Sequence, residues 1–145
     1  MAFKLGVFII ICIYLQVSNC ALNKQDYGVH LTTDSAKWVE KCRAITGTTQ
    51  EEVDAAAQGM FPESFAPYIS CLWFESGVLK PNLEAVPERL KHYWPVKVIK
   101  PEELSQFIPC AKSARELGSD VPINKKILEM TKCHYKINPG KYIIF

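Results

Sequence analysis

The sequence predicts an all-α domain. Three observations carry that prediction. Apolar residues recur at three- and four-residue spacing through most of the chain, helix start and stop signals bracket those stretches, and no two stretches alternate as paired strands.

The periodic segments follow in order. Ala21 to Leu31 has no clear period and reads as a frayed end. From Asp34, a reasonable N-cap, Trp38, Val39, Cys42 and Ile45 form one apolar stripe that Gly47 closes. Thr49 followed by Glu52 is a capping-box signature, with Val53, Ala56, Ala57 and Met60 behind it and Gly59 as the stop. Pro62 sits where a first-turn proline is tolerated, and Phe65, Ile69, Leu72 and Trp73 repeat up to Gly77. Leu83, Val86, Leu90, Tyr93 and Trp94 form a fourth stripe, which Pro87 is expected to shorten or kink.

Pro95 and Pro101 bracket VKVIK, which alternates like a strand but has no partner and reads as an extended connector. Pro101 opens a fifth helix through Leu104, Phe107, Ile108, Ala111 and Ala114, with a kink or restart expected near Cys110 because Pro109 lies inside it. A sixth runs from about Pro122 with Ile123, Ile127, Leu128 and Met130 inward, until Asn138-Pro139-Gly140 breaks it before an apolar KYIIF tail. About six helices result, none longer than about four turns, and helices that short depend on tertiary packing.

The first twenty residues read as an address. Lys4 precedes an apolar run of about eleven residues, Leu5 to Leu15, and polar residues follow. That is the layout of a secretory signal peptide, too short for the roughly twenty residues that span a bilayer. Ser18 and Cys20 place the cleavage before Ala21. The expected organisation is therefore a signal peptide at 1–20 and one helical domain at 21–145, released from the cell, with no membrane span. The remaining chain of about 125 residues keeps Cys42, Cys71, Cys110 and Cys133. An even count in a secreted chain reads as two disulfides, and four cysteines allow three connectivities.

Composition narrows the function classes. With 48% apolar and 22% charged residues the chain is not disordered, and a net charge of +2 is a poor match for nucleic acid. Nucleophile elbows, phosphate loops, zinc-binding Cys or His pairs and calcium loops are all missing from the sequence, so no catalytic residue, metal ligand or cofactor is assigned and the chain is not read as an enzyme. Glu51-Glu52 and Glu102-Glu103 sit in first helical turns, where they complement the macrodipole. His30, His92 and His134 read first as ordinary histidines and second as pH sensors. The stripe residues read by default as core, whether that core is filled or hollow.

The mature cysteines are separated by 28, 38 and 22 residues, and PYISCLWFESGVL (Pro67 to Leu79) surrounds the second. These features resemble the insect odorant-binding protein family, of the pheromone and general odorant-binding type, over the whole mature chain. Cys71 matches the second of a cysteine pair separated by three residues in that family, with Leu72 and Gly77-Val78 following as expected. The full pattern has six cysteines. The two others would stand at Pro67 and Asn124 and bond to each other, so their joint loss resembles the reduced-cysteine ("minus-C") subclass.

The resemblance implies the pairs Cys42–Cys71 and Cys110–Cys133 and a helical shell around an internal apolar cavity. It further implies a secreted carrier of odorants, pheromones or similar semiochemicals. Candidate wall residues are Phe65, Ile69 and Trp73, then Val86, Leu90 and Tyr93. Phe107, Ile108 and Ala111, with Ile127, Met130 and Phe145, complete the set. Tyr68, Ser70, Tyr93 and Tyr135 are candidate polar contacts. The apolar tail is a candidate lid that charging of His92 or His134 would loosen. Expected partners are a small hydrophobic ligand, a second copy of the chain and a membrane receptor for the ligand. The alternatives are a salivary-type binder of biogenic amines or lipids, for which Glu75, Glu84 or Glu129 would supply a carboxylate, and a helical secreted signalling protein with a filled core.

Overall fold

A computed structural model describes residues 28–144, the side chains of residues 29 and 30 excepted. The expected leader at 1–20, its cleavage site, the His30 side chain and the candidate wall residue Phe145 lie outside what the structure describes. Among the described residues six α-helices carry the fold: α1 (Val29–Thr46), α2 (Gln50–Ala57), α3 (Ala66–Ser76), α4 (Pro87–Tyr93), α5 (Leu104–Glu116) and α6 (Ile123–Ile137). Among the described residues there is no strand, only an isolated bridge between Leu79 and Ala85.

α1 begins at Val29, not at Asp34, and its 18 residues make about five turns, longer than expected. Leu31, Ser35 and Trp38 continue the stripe backward. Ser35 hides that pattern in sequence because it is polar, yet it is buried with its hydroxyl donated to the Thr32 carbonyl at 3.2 Å. Asp34 is not a cap; its carboxylate accepts the Tyr93 hydroxyl at 3.0 Å and ties α1 to α4. Ile45 points away from the core and is exposed.

α2 carries the capping box in both directions, Glu52 N–H to Thr49 Oγ1 at 3.2 Å and Thr49 N–H to Glu52 Oε2 at 3.0 Å. It ends at Ala57, leaving Ala57 and Met60 exposed. Gly59 then turns with φ +86°, and a Cβ there would stand 2.5 Å from the Tyr135 ring, so only glycine fits. α3 is preceded by a 3-10 turn at Glu63–Phe65 and stops at Gly77 with φ +66°. It buries Ala66, Tyr68, Ile69, Ser70 and Leu72, positions on nearly every side, because neighbours surround it.

The fourth stripe is only half helix. α4 starts at Pro87, since the residue before a proline is driven out of helical geometry. Leu83 instead takes φ +60° in a tight turn, with its side chain buried and its carbonyl held by Arg115 Nη1 at 3.2 Å. The predicted extended connector is also corrected. Val98 and Ile99 N–H both bond the Pro95 carbonyl at 2.9 Å, making a turn that buries Val98 and Ile99 and exposes Val96. α5 runs unbroken through Pro109, without the expected restart. The proline lies exposed in the helix's second turn, so only one intrahelical bond, to the Ser105 carbonyl, is forgone. In α6, Ile127, Leu128 and Met130 are buried as expected, and Ile123 is partly exposed.

Packing runs in series: α1 on α3, α3 on α6, α6 on α5. Cys42–Cys71 joins α1 to α3 and Cys110–Cys133 joins α5 to α6, with Cα separations of 5.7 and 5.6 Å. The larger apolar cluster centres on Phe65, Tyr68, Ile127, Leu128 and Met130 and contains buried Cys42 and Cys110. A smaller one gathers Leu31, Val78, Tyr93, Val98 and Ile99. Replacing Cys42 and Cys71 together by serine should lower unfolding free energy by about 2–5 kcal/mol in urea titrations. The Cys110/Cys133 double variant should lose a similar amount.

Candidate functional site: an apolar cavity walled by aromatic rings

Between the two clusters lies a partly open cavity of about 250 Å³. α3 supplies Ile69, Leu72, Trp73 and Ser76; α5 supplies Leu104, Phe107, Ile108 and Ala111; α6 supplies Met130, Thr131 and His134. The opposite side is built from Leu31 and Trp38 of α1, Leu90 and Tyr93 of α4, and Trp94, Pro95 and Ile99 beyond it. Residues 141–144 close one flank. All three tryptophans of the chain face this space.

The structure brings Ile69, Trp73, Leu90, Tyr93, Phe107, Ile108, Ala111 and Met130 together on the wall. Phe65, Ile127 and Val86 do not reach it. Phe65 and Ile127 are fully buried in the larger cluster, and Val86 precedes α4 with its N–H bonded to the Val78 carbonyl at 2.8 Å. Of the candidate polar contacts only Tyr93 lines the cavity, and Tyr68, Ser70 and Tyr135 lie elsewhere. Trp38, Trp94, Thr131 and Tyr142 were not assigned from sequence. The first two belong to apolar stripes, so their large amphipathic rings were a usable signal; nothing in sequence marks the face of Thr131 or the return of Tyr142.

The wall's polar groups are mostly engaged within the chain. Ser76 donates to the Trp73 carbonyl at 2.7 Å, Thr131 to the Ile127 carbonyl at 2.8 Å, and Trp94 Nε1 to the Ile99 carbonyl at 3.0 Å. Lys141 is the one described lysine on the wall, and both Glu103 oxygens hold its Nζ at 2.7 and 2.8 Å. That pair, with the Lys100 N–H, keeps the Glu103 carboxyl below its ordinary range, Lys141 contributing most. Among the described residues no carboxylate lines the cavity. Glu75, Glu84 and Glu129 instead pair with Lys41, Lys80 and Lys132. The described residues contain no metal-binding cluster and no helix long and apolar enough to cross a membrane.

The tail is fixed by more than Lys141. Tyr142 meets Phe61 and Tyr135 edge-on at 5.9 and 5.4 Å, and burial pushes its hydroxyl far above the ordinary tyrosine range. Ile143 packs on the smaller cluster and Ile144 on the larger.

His134 stands between Trp73 and Phe107, with ring centroids at 5.9 and 5.3 Å. Burial lowers its pKa to about 4, against a weaker opposing hydrogen bond to the Phe107 main chain. Mild acidification therefore leaves it neutral in the folded chain. The unfolded chain binds that proton near pH 6.5, so it carries more protons than the native state between about 6.5 and 4, and stability falls as pH falls through that window. Asp34, Glu52, Glu84 and Glu103, all with lowered pKa values, withdraw stability only below their ordinary values of 3.8 and 4.5. Urea titrations should show wild-type chain losing about 2 kcal/mol between pH 7.5 and pH 5, and His134→Phe losing far less over the same interval.

No protein-family profile matches this chain, and no curated protein does. Among solved structures, odorant binding protein 5 of Apis mellifera superposes with a TM-score of 0.59 at 19% sequence identity, over 86% of this chain and 99% of that one. Six helices, two disulfides and a cavity between them thus form an insect odorant-binding-protein-like fold.

Proposed function

We propose that the protein is a secreted, non-enzymatic carrier of small hydrophobic molecules, odorants, pheromones or similar semiochemicals, held in the cavity between α3, α5 and α6. The observation that carries this reading is the wall itself: among the described residues it is aromatic and aliphatic, with one lysine, which is neutralised, and no carboxylate. A sparingly soluble molecule gains roughly 25 cal/mol for each Å² of apolar surface withdrawn from water, so about 200 Å² supplies about 5 kcal/mol. A volume of about 250 Å³ is below the ~300–1,000 Å³ common for drug-sized ligands, which favours a compact cargo. The lack of a carboxylate among the described wall residues favours a neutral cargo over an amine. Secretion is supported by the leader-like sequence at 1–20 and by two disulfides, which persist in oxidising compartments. Pro67 and Asn124 at the two replaced cysteine positions support the reduced-cysteine subclass.

Titration with the apolar fluorophore N-phenyl-1-naphthylamine should saturate near one equivalent and be reversed by small hydrophobic competitors. Failure to bind any such probe would reject the carrier in favour of a filled-core signalling protein. Ala111→Trp, which fills the cavity from α5, should weaken the probe at least tenfold while far-UV circular dichroism is unchanged. The tail acts in this reading as a lid fastened by Glu103 and Lys141. Removing residues 140–145 should speed probe release, and unchanged affinity and pH response would rule the lid out.

A further inference from the structure

Resting on the carrier reading, we infer that Thr131 and His134 form a subsite for a hydroxyl donor, so that the preferred cargo is a compact neutral alcohol or phenol. The two residues sit three apart on α6, hence on one helical face, and both line the cavity. Their donors are already committed. The Thr131 hydroxyl donates to the Ile127 carbonyl at 2.8 Å, leaving its oxygen lone pairs as its remaining capacity. One His134 ring nitrogen donates to the Phe107 main-chain carbonyl.

A neutral imidazole has one donor and one acceptor nitrogen, so the second ring nitrogen carries a lone pair. No donor among the described residues takes it. The low proton affinity of this buried ring keeps that lone pair available at neutral pH. The surroundings sharpen the choice. Trp73 and Phe107 flank the imidazole edge-on, so a flat or unsaturated body finds ring contacts beside the acceptor pair. Among the described wall residues, a carboxylic acid would meet one lysine already held by Glu103, and an amine would find no carboxylate. An alcohol supplies a proton for those acceptors, while its own oxygen can accept from Trp73 Nε1, a buried wall donor without a partner.

The test uses a matched pair, 2-phenylethanol and its methyl ether, which share a body and differ in the donor. Binding is read by quenching of tryptophan fluorescence, since all three tryptophans border the cavity. Wild-type protein should bind the alcohol about three- to tenfold more tightly than the ether, the range of one neutral hydrogen bond. His134→Phe should abolish that preference by weakening the alcohol alone, and Thr131→Val should reduce it. Equal affinities in wild-type protein would overturn the subsite and leave the carrier standing. Failure of both compounds, and of the naphthylamine probe, would overturn the carrier and this inference with it. The wild-type comparison decides the matter even where a variant folds poorly.

Discussion

The bond between Cys42 and Cys71 fastens the longest helix to the one around which the others pack, and the rest of the architecture depends on that junction. α3 is buried on nearly all sides, with α1 against one flank and α6 against another. Its 11 residues form about three turns, too few to be stable alone in water. A covalent tie to α1 on one side and α6 packing on the other keep it in place. The second disulfide then holds α5 to α6, so of the three helix interfaces in series the outer two are cross-linked and the middle one relies on burial.

This arrangement divides the cavity into a firm side and a softer one. Ile69, Trp73, Phe107, Ala111 and Met130 project from helices that disulfides restrain. The facing side comes from α4, a helix of 7 residues, the turn beyond it and the returning tail. No disulfide reaches those pieces, which combine ring and apolar packing with one named polar tie each. The Tyr93 hydroxyl on Asp34 anchors α4, Trp94 Nε1 on the Ile99 carbonyl anchors the turn, and Glu103 on Lys141 anchors the tail. Short elements without a covalent tie are the natural first places for such a wall to open.

The fold was legible where local rules act alone. The Thr49–Glu52 capping box, Gly47 and Gly77 as helix stops and the apolar face of α6 are short-range features that sequence displays directly. The errors came where distant residues overrule local preference. Asp34 looks like a cap, but Tyr93 claims it from 59 positions away. Val96 and Val98 alternate like a strand, but proline geometry curls them into a turn. Leu83 continues a helical stripe in sequence, but Pro87 keeps Val86 extended, and the turn before it sets Leu83 left-handed with its side chain buried. Cavity walls were harder still. Phe65 and Ile69 occupy one stripe four residues apart, yet one fills the core and the other borders space, a distinction set by what α5 and α6 bring opposite them. Periodicity reports which face is apolar and carries no information on whether that face meets atoms or a void.

The two apolar clusters differ in a way that bears on heat resistance. The larger one contains cysteines of both cross-links; the smaller one, with Leu31, Val78, Tyr93, Val98 and Ile99, contains none. Its cohesion rests on side chains bordering the cavity, so a molecule lodged there adds contacts where covalent reinforcement is missing. A bound molecule would there act as a removable third rivet. By mass action, a guest at a hundred times its dissociation constant adds about 2.7 kcal/mol to the folded state, and the melting temperature of a loaded population rises above that of an unloaded one without any change in the chain.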